Sequence, residues 1–256
     1  GERETSEIYE KLLSRSFVKP HQRGFALHDV TRKWLCDSLI QNSKNKWNDL
    51  NIKAANYYQT SLEKLSITDE QSLDEWVELA IEFVYHSIQV DVVKGLNTFK
   101  DVFEYAQVYY PVGKRALLNV IKSDEKFSKT YPQWISYYEI RVNDDPDSQI
   151  HELQNLNSDQ VLNFYISTSL GIILFGQGQI DQAIEALEKN SYYHNRIAEE
   201  NLNTPELKMA KASCRYLGIA YRTQGKYDNA LHAFSLLGDD PKALSDRARI
   251  LFLRGN

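Results

Sequence analysis

A chain of 256 residues, 42% hydrophobic and 25% charged, is long enough to bury a sizeable core in one or two domains. With 11 Gly, 6 Pro and 12% aromatics it is neither collagen-like nor low-complexity, and global disorder is excluded. The net charge of -5 is uneven: residues 1–50 carry 9 Lys/Arg against 7 Asp/Glu, the remainder 21 against 28.

No apolar run approaches the roughly 18 residues of a membrane helix, the longest being short pieces such as Leu170 to Phe175. The opening GERETSEIYE lacks the apolar stretch of a secretion signal, and Cys36 and Cys214 are too few and too far apart for a disulfide framework. A cytoplasmic setting is expected. A first residue of Gly rather than Met points to an excised piece. From Lys11 to Lys46 eight basic residues face only Asp29 and Asp37, a block suited either to phosphate or to a solvated helix surface.

In chain order, Ser6 to Leu13 has the pattern of an amphipathic helix. In SFVKPHQRGFALHD, Phe17 and Val18 are separated from Phe25, Ala26 and Leu27 by a turn holding Pro20 and Gly24, which predicts a short hairpin. Asp29 is placed to cap a helix through Val30, Trp34, Leu35 and Leu39. Further amphipathic segments follow at 47–65, 73–90 and 98–110; Val77, Ala80, Ile81, Val84 and Tyr85 keep the helical spacing. VNDDPDS, residues 142–148, has linker composition and predicts a boundary. The fold class is mostly α. Domains are expected at 1–46, at 47–145 (degenerate helical repeats or a spacer) and at 146–256.

The third region repeats itself. Leu170-Gly171 is followed by Leu174, Gly178, Ile180, Ala183 and Leu187, and Leu217-Gly218 by Tyr221, Gly225, Tyr227, Ala230 and Phe234 at the same offsets. Glycines 171 and 218 let paired helices approach, glycines 178 and 225 serve a turn, and the alanines admit a neighbouring helix. LGIAYRTQGKYDNALHAFSLLGDDP resembles the tetratricopeptide repeat, with Cys214 where the family usually has Trp. The 47-residue step from Gly171 to Gly218 exceeds the usual ~34, so longer helices or a loop intervene. Another repeat opens over 243–255. Four Tyr-Tyr pairs (57-58, 109-110, 137-138, 192-193) are expected at the rim between helices, rings buried and hydroxyls wet.

KLLSRSFVKPHQRGFALHDVTRKWLCDSL resembles the end of the winged-helix domain of STAND signalling NTPases of the NB-ARC type, over about 40 residues, with Leu27-His28-Asp29 in place of Met-His-Asp. The resemblance implies a partial winged helix followed by an α-solenoid, with His28 touching the β-phosphate of ADP; the competing reading is a histidine that caps or packs at the junction. It also implies an N-terminal nucleotide-binding module of the same parent as a partner, and ADP or ATP as the parent's cofactor. This chain has no G-x-x-x-x-G-K-[ST] loop, no G-x-S-x-G elbow, no H-E-x-x-H and no paired Cys. No enzyme, no metal site and no cofactor of its own are expected.

The tetratricopeptide resemblance implies a partner groove at Tyr165, Thr168, Ile172, Phe175, Arg215, Ile219 and Arg222. Arg215 and Arg222 lie two turns apart on one face, suited to an acidic or carboxylate-ended peptide unless they are solvated or paired with neighbouring acids. The expectation is a non-catalytic sensor and scaffold arm that binds a protein or peptide, with no membrane contact. The alternative is a winged-helix transcription regulator whose Arg32 and Lys33 meet DNA, against which Trp34, Leu35 and Leu39 turn much of that helix toward a core.

Overall fold

The computed structural model describes residues 18–21, 24–27, 29–66, 70–197 and 204–255. Two short strands open the described chain: β1 (Val18–His21) and β2 (Gly24–Leu27), paired antiparallel with Val18 opposite Leu27 and His21 opposite Gly24. A hairpin followed by a helix occurs in many folds and does not by itself identify a winged helix. The helix expected at Ser6 to Leu13, and His28, lie outside the described residues.

Helices account for nearly all the rest. α1 (Asp29–Asn42), α2 (Lys44–Lys64), α3 (Glu70–Val90) and α4 (Val92–Tyr109) match the amphipathic segments. α4 starts six residues earlier than its apolar pattern suggests, because the Asp91 side chain accepts from the Lys94 N–H at 2.8 Å and caps it. A 3-10 turn at Pro111–Gly113 leads into α5 (Lys114–Ser123), α6 (Glu125–Thr130) and α7 (Pro132–Arg141).

The acidic stretch at 142–148 leads into a capped helix start. Asp145 accepts from the N–H groups of Asp147 and Ser148, and Pro146 takes the first position of α8 (Pro146–Asn155), where a missing N–H costs nothing. Packing runs on through this turn, since one apolar core extends from Trp76 to Ile250. At its centre Phe99 and Phe103 of α4 meet Tyr138 edge-on or tilted at 4.7 and 4.5 Å.

The C-terminal part consists of α9 (Gln160–Gly176), α10 (Ile180–Glu188), α11 (Ser191–Arg196), α12 (Pro205–Thr223), α13 (Tyr227–Ser235) and α14 (Pro241–Leu253). α9 packs on α10, α12 on α13, and α10 also on α12, so neighbours in sequence are mostly neighbours in space, an arrangement compatible with helical repeats. Gly178 and Gly225 have φ of 75° and 74°, the left-handed conformation that lacks steric penalty only for glycine. Each closes the helix before it: the Gln179 N–H reaches back to the Leu174 carbonyl at 2.9 Å, and the Lys226 N–H to Tyr221 at 2.9 Å. Part of the long step between the two hairpins is taken up by α11.

The tyrosine pairs divide differently from the expectation of a wet rim. Tyr137 and Tyr138 are both fully buried, and the Tyr137 hydroxyl is shared with Ser169 at 2.8 Å. Tyr57, Tyr109 and Tyr192 are exposed, while the second member of each of those pairs is half-buried.

Candidate functional site

The glycines do what the repeat pattern requires. A Cβ on Gly171 would lie 2.4 Å from Leu187 Cγ, and one on Gly218 2.8 Å from the Phe234 ring. Leu187 and Phe234, both fully buried, therefore seat directly on bare backbone. Ala183 and Ala230, one turn earlier on α10 and α13, are also completely enclosed.

The seven groove positions separate. Tyr165 and Thr168 are completely buried, so they hold the core and offer no surface. Burial of Tyr165 also raises its hydroxyl pKa far above the ordinary value. Ile172, Phe175 and Ile219 are half-buried, and Phe175 meets Tyr216 edge-on at 6.1 Å. Arg215 pairs with Asp240 at 2.5 Å and Arg222 with Asp246. Burial works against ionising Asp240, but the Ala243 N–H and Arg215 prevail and hold its carboxyl below the usual value. The two arginines that sequence assigns to an acidic peptide are thus engaged by the chain's own acids, Asp240 capping α14 and Asp246 within it. A periodic pattern records which face a residue takes, but not that the next helix brings carboxylates onto that face.

Between α9, α10, α11 and α12 lies a buried polar cluster that sequence reasoning missed. Asn190, 1% exposed, donates to Thr168 Oγ1 and Ser213 Oγ, both at 3.0 Å, and its Oδ1 accepts from Ser167 at 2.6 Å. Ser213 also shares a hydrogen bond of 2.9 Å with His194 Nε2. Burial lowers His194 to about 4, so its ring is neutral at pH 7. Ser213 and His194 have the partners of a nucleophile and base, yet at 0% and 4% exposure neither meets substrate. The cluster's chemistry is positioning: it ties the end of α10 to α9 and α12. Ser167 and Asn190 form the inner wall of a shallow cleft of about 640 Å³ bordered by Phe164 and Tyr193, whose rings stack at 3.9 Å.

A second unanticipated feature joins distant parts of the chain. Lys100 of α4, 3% exposed, points its ammonium at the Trp134 ring (4.1 Å) and the Tyr165 ring (4.9 Å) and pairs with Glu206 of α12 at 2.7 Å. Burial lowers its pKa, and Glu206 acts the other way. Beside it Asp101 pairs with Lys208 at 2.8 Å, the charges reversed between the helices. Arg141 fastens the same region through two bonds to Glu104, at 2.9 and 3.3 Å.

A further cleft, of about 950 Å³, lies among α1, α2, α3 and α5 and is lined mainly by Trp47, Leu50, Ile81, Tyr85 and Val120. His86 stands in its wall. Asn51 donates to the Trp47 carbonyl at 2.8 Å, which turns its Oδ1 toward His86 Nδ1, also at 2.8 Å; the imidazole therefore carries its proton on Nδ1. Among the described residues no three His, Cys, Asp or Glu side chains converge as metal ligands, and no helix is long and apolar enough to cross a membrane.

No family model, curated protein or solved structure matches this chain.

Proposed function

We propose that this chain is the non-catalytic sensor and scaffold arm of a STAND-type signalling NTPase, with tetratricopeptide-like repeats that hold a protein or peptide partner. The observation that carries the scaffold half is the pair of helix hairpins α9–α10 and α12–α13. They share the glycine under a large apolar side chain, the left-handed turn glycine and the buried alanine at equal offsets. Such units bury their apolar faces only by stacking, which leaves extended surfaces for recognition. Buried chemistry supports the non-catalytic half, since the serine–histidine pair is sealed and the lowered-pKa lysine is engaged by Glu206.

The switch half rests on the residues around Leu27-His28-Asp29 alone. In this reading His28 senses a nucleotide held by a preceding module in a cytoplasmic parent, and partner binding shifts an equilibrium between two states of that parent. The decisive experiment reads the parent's residues before Gly1 for a G-x-x-x-x-G-K-[ST] loop, then measures ADP retention by the parent with and without His28→Ala. Absence of the loop, or unchanged retention, removes the switch half. Tight duplex-DNA binding by this chain that weakens steeply with salt replaces the reading with the transcription regulator.

A further inference from the structure

The cleft among α1, α2, α3 and α5 offers hydrogen-bond acceptors and one negative charge. Among the described residues that line it, Glu82 is the only charged side chain. Its polar neighbours have their protons committed. Asn51, 2% exposed, gives an Nδ2–H to the Trp47 carbonyl and accepts the Nδ1–H of His86, so His86 Nε2 is left with a lone pair. The ring is held there by stacking on Tyr58 at 5.6 Å, with 9° between the planes. Burial shifts His86 below its ordinary 6.5, in keeping with a neutral ring. The Glu82 carboxylate lies 3.6 Å from Nε2, beyond hydrogen-bond range, so two acceptors stand side by side. On α5 the Ser123 hydroxyl donates to the Val120 carbonyl at 3.0 Å, which makes its oxygen an acceptor as well.

We propose that this cleft binds a small molecule with an apolar body and a primary ammonium head, the ammonium donating to both His86 Nε2 and the Glu82 carboxylate. One ammonium group bridges two acceptors 3.6 Å apart with two of its three N–H bonds. A carboxylate has about four acceptor positions, so Glu82 takes this donor together with its other contacts. Apolar walls from Trp47, Leu50, Ile81 and Val120 fit the body. A volume of about 950 Å³ stands at the upper end of the roughly 300–1,000 Å³ of drug-sized sites, which are mostly apolar with a few fixed polar groups. Charge sets the class of head group. A carboxylate head would add a third acceptor beside Glu82 and Nε2, while a hydroxyl brings one proton and no charge, and partial exclusion of water strengthens the difference. The site is built by helices between Asp29 and Ser123 and uses none of α9 to α14, so a small-molecule ligand stands beside the protein partner of the scaffold reading and does not depend on it.

Titration calorimetry of the full 256-residue chain with phenylbutylamine at pH 7 tests it. One saturating site is expected, with a Kd below about 1 mM, at least tenfold weaker for phenylbutanol and absent for phenylbutyrate. The trimethylammonium analogue, charged but without an N–H, binds at least tenfold more weakly than the amine. Glu82→Gln, a nearly isosteric change at a half-exposed side chain, weakens the amine at least tenfold and leaves the alcohol unaltered. Ala54→Trp, which fills the cleft from α2, abolishes binding of both. No saturation by the amine, equal affinity for the alcohol or the trimethylammonium analogue, or amine binding indifferent to Glu82→Gln overturns the proposal. So does a nitrogen-15 spectrum of the free chain that shows a proton on His86 Nε2 at pH 7, since the acceptor pair then does not exist. None of these outcomes bears on ADP retention by the parent or on the stacked hairpins, so the two readings fail separately.

Discussion

Gly171 and Leu187 touch so closely that a single methyl group cannot come between them: the added Cβ would lie 2.4 Å from Leu187 Cγ and 2.6 Å from Cδ2. Leu187 is fully buried, with little room to retreat. Gly171→Ala is therefore expected to destabilise by about 1–3 kcal/mol, the usual cost of forcing extra volume into a packed core. Gly218→Ala meets the Phe234 ring at 2.8 Å and falls in the same range. Gly176, also in α9, has nothing within 4 Å of its added Cβ, so Gly176→Ala stabilises by about 0.5–1 kcal/mol. Urea midpoints of the three variants test this; equal shifts would mean that close approach is not what these glycines supply.

Helix spacing, the hairpin residues, the turn glycines and the two glycine seats were legible because each is a local pattern with a fixed period or a fixed backbone demand. The buried cluster was not. Asn190, Ser167 and Ser213 look like surface residues by type, and only their convergence from two helices and the turn between α10 and α11 satisfies them. The same holds for Lys100 and Glu206, 106 positions apart, and for Arg215 and Arg222, whose acids come from the cap and the body of α14. In VNDDPDS, Asp and Pro suit a helix start as well as a linker, and here Asp145 and Pro146 open α8.

Asn190 holds three hydroxyls at once, so Asn190→Ala strands groups that water cannot reach. A loss of about 2 kcal/mol is expected, against about 0.5 kcal/mol or less for Asn155→Ala, whose hydrogen bond to the His151 carbonyl is exposed. Chemical denaturation of both variants measures the contrast.

His194 makes the fold acid-sensitive in a defined window. Its folded pKa, about 4, lies below the ordinary 6.5, so the unfolded chain binds the proton more readily. Its share of stability is full above pH 6.5, falls as pH drops through the interval and levels off near pH 4, a total of roughly 3 kcal/mol. His194→Gln removes that dependence; denaturation curves of both proteins from pH 7 to 4 should converge as pH falls. Parallel curves would mean that the imidazole stays solvated.

Glu206→Gln leaves the Lys100 ammonium buried without its counter-ion, for an expected loss of about 3 kcal/mol at pH 7. Lys100→Met keeps the packing between Trp134 and Tyr165 while removing the charge, and costs less. Lys100 has a folded pKa below the ordinary 10.5, and losing Glu206 lowers it further. Glu206→Gln should therefore regain stability as pH rises toward 10.5, where the unfolded chain also sheds the proton. Melting temperatures measured against pH for both variants decide it; equal losses that ignore pH would assign the contact to shape rather than charge.

Arg222 and Asp246 face each other between α12 and α14, each only partly exposed, so a carboxylate in place of the guanidinium meets another carboxylate. Arg222→Glu is expected to cost about 2 kcal/mol and to loosen α14, which amide exchange along 241–253 would report. Swapping both partners, Arg222→Glu with Asp246→Arg, restores most of that loss, since neither residue caps a helix. The same swap at Arg215 and Asp240 recovers less, because Asp240 also accepts from the Lys242 and Ala243 N–H groups at 3.0 Å and starts α14. Equal rescue at the two sites would show that the cap contributes little and that charge pairing alone holds α14 to α12.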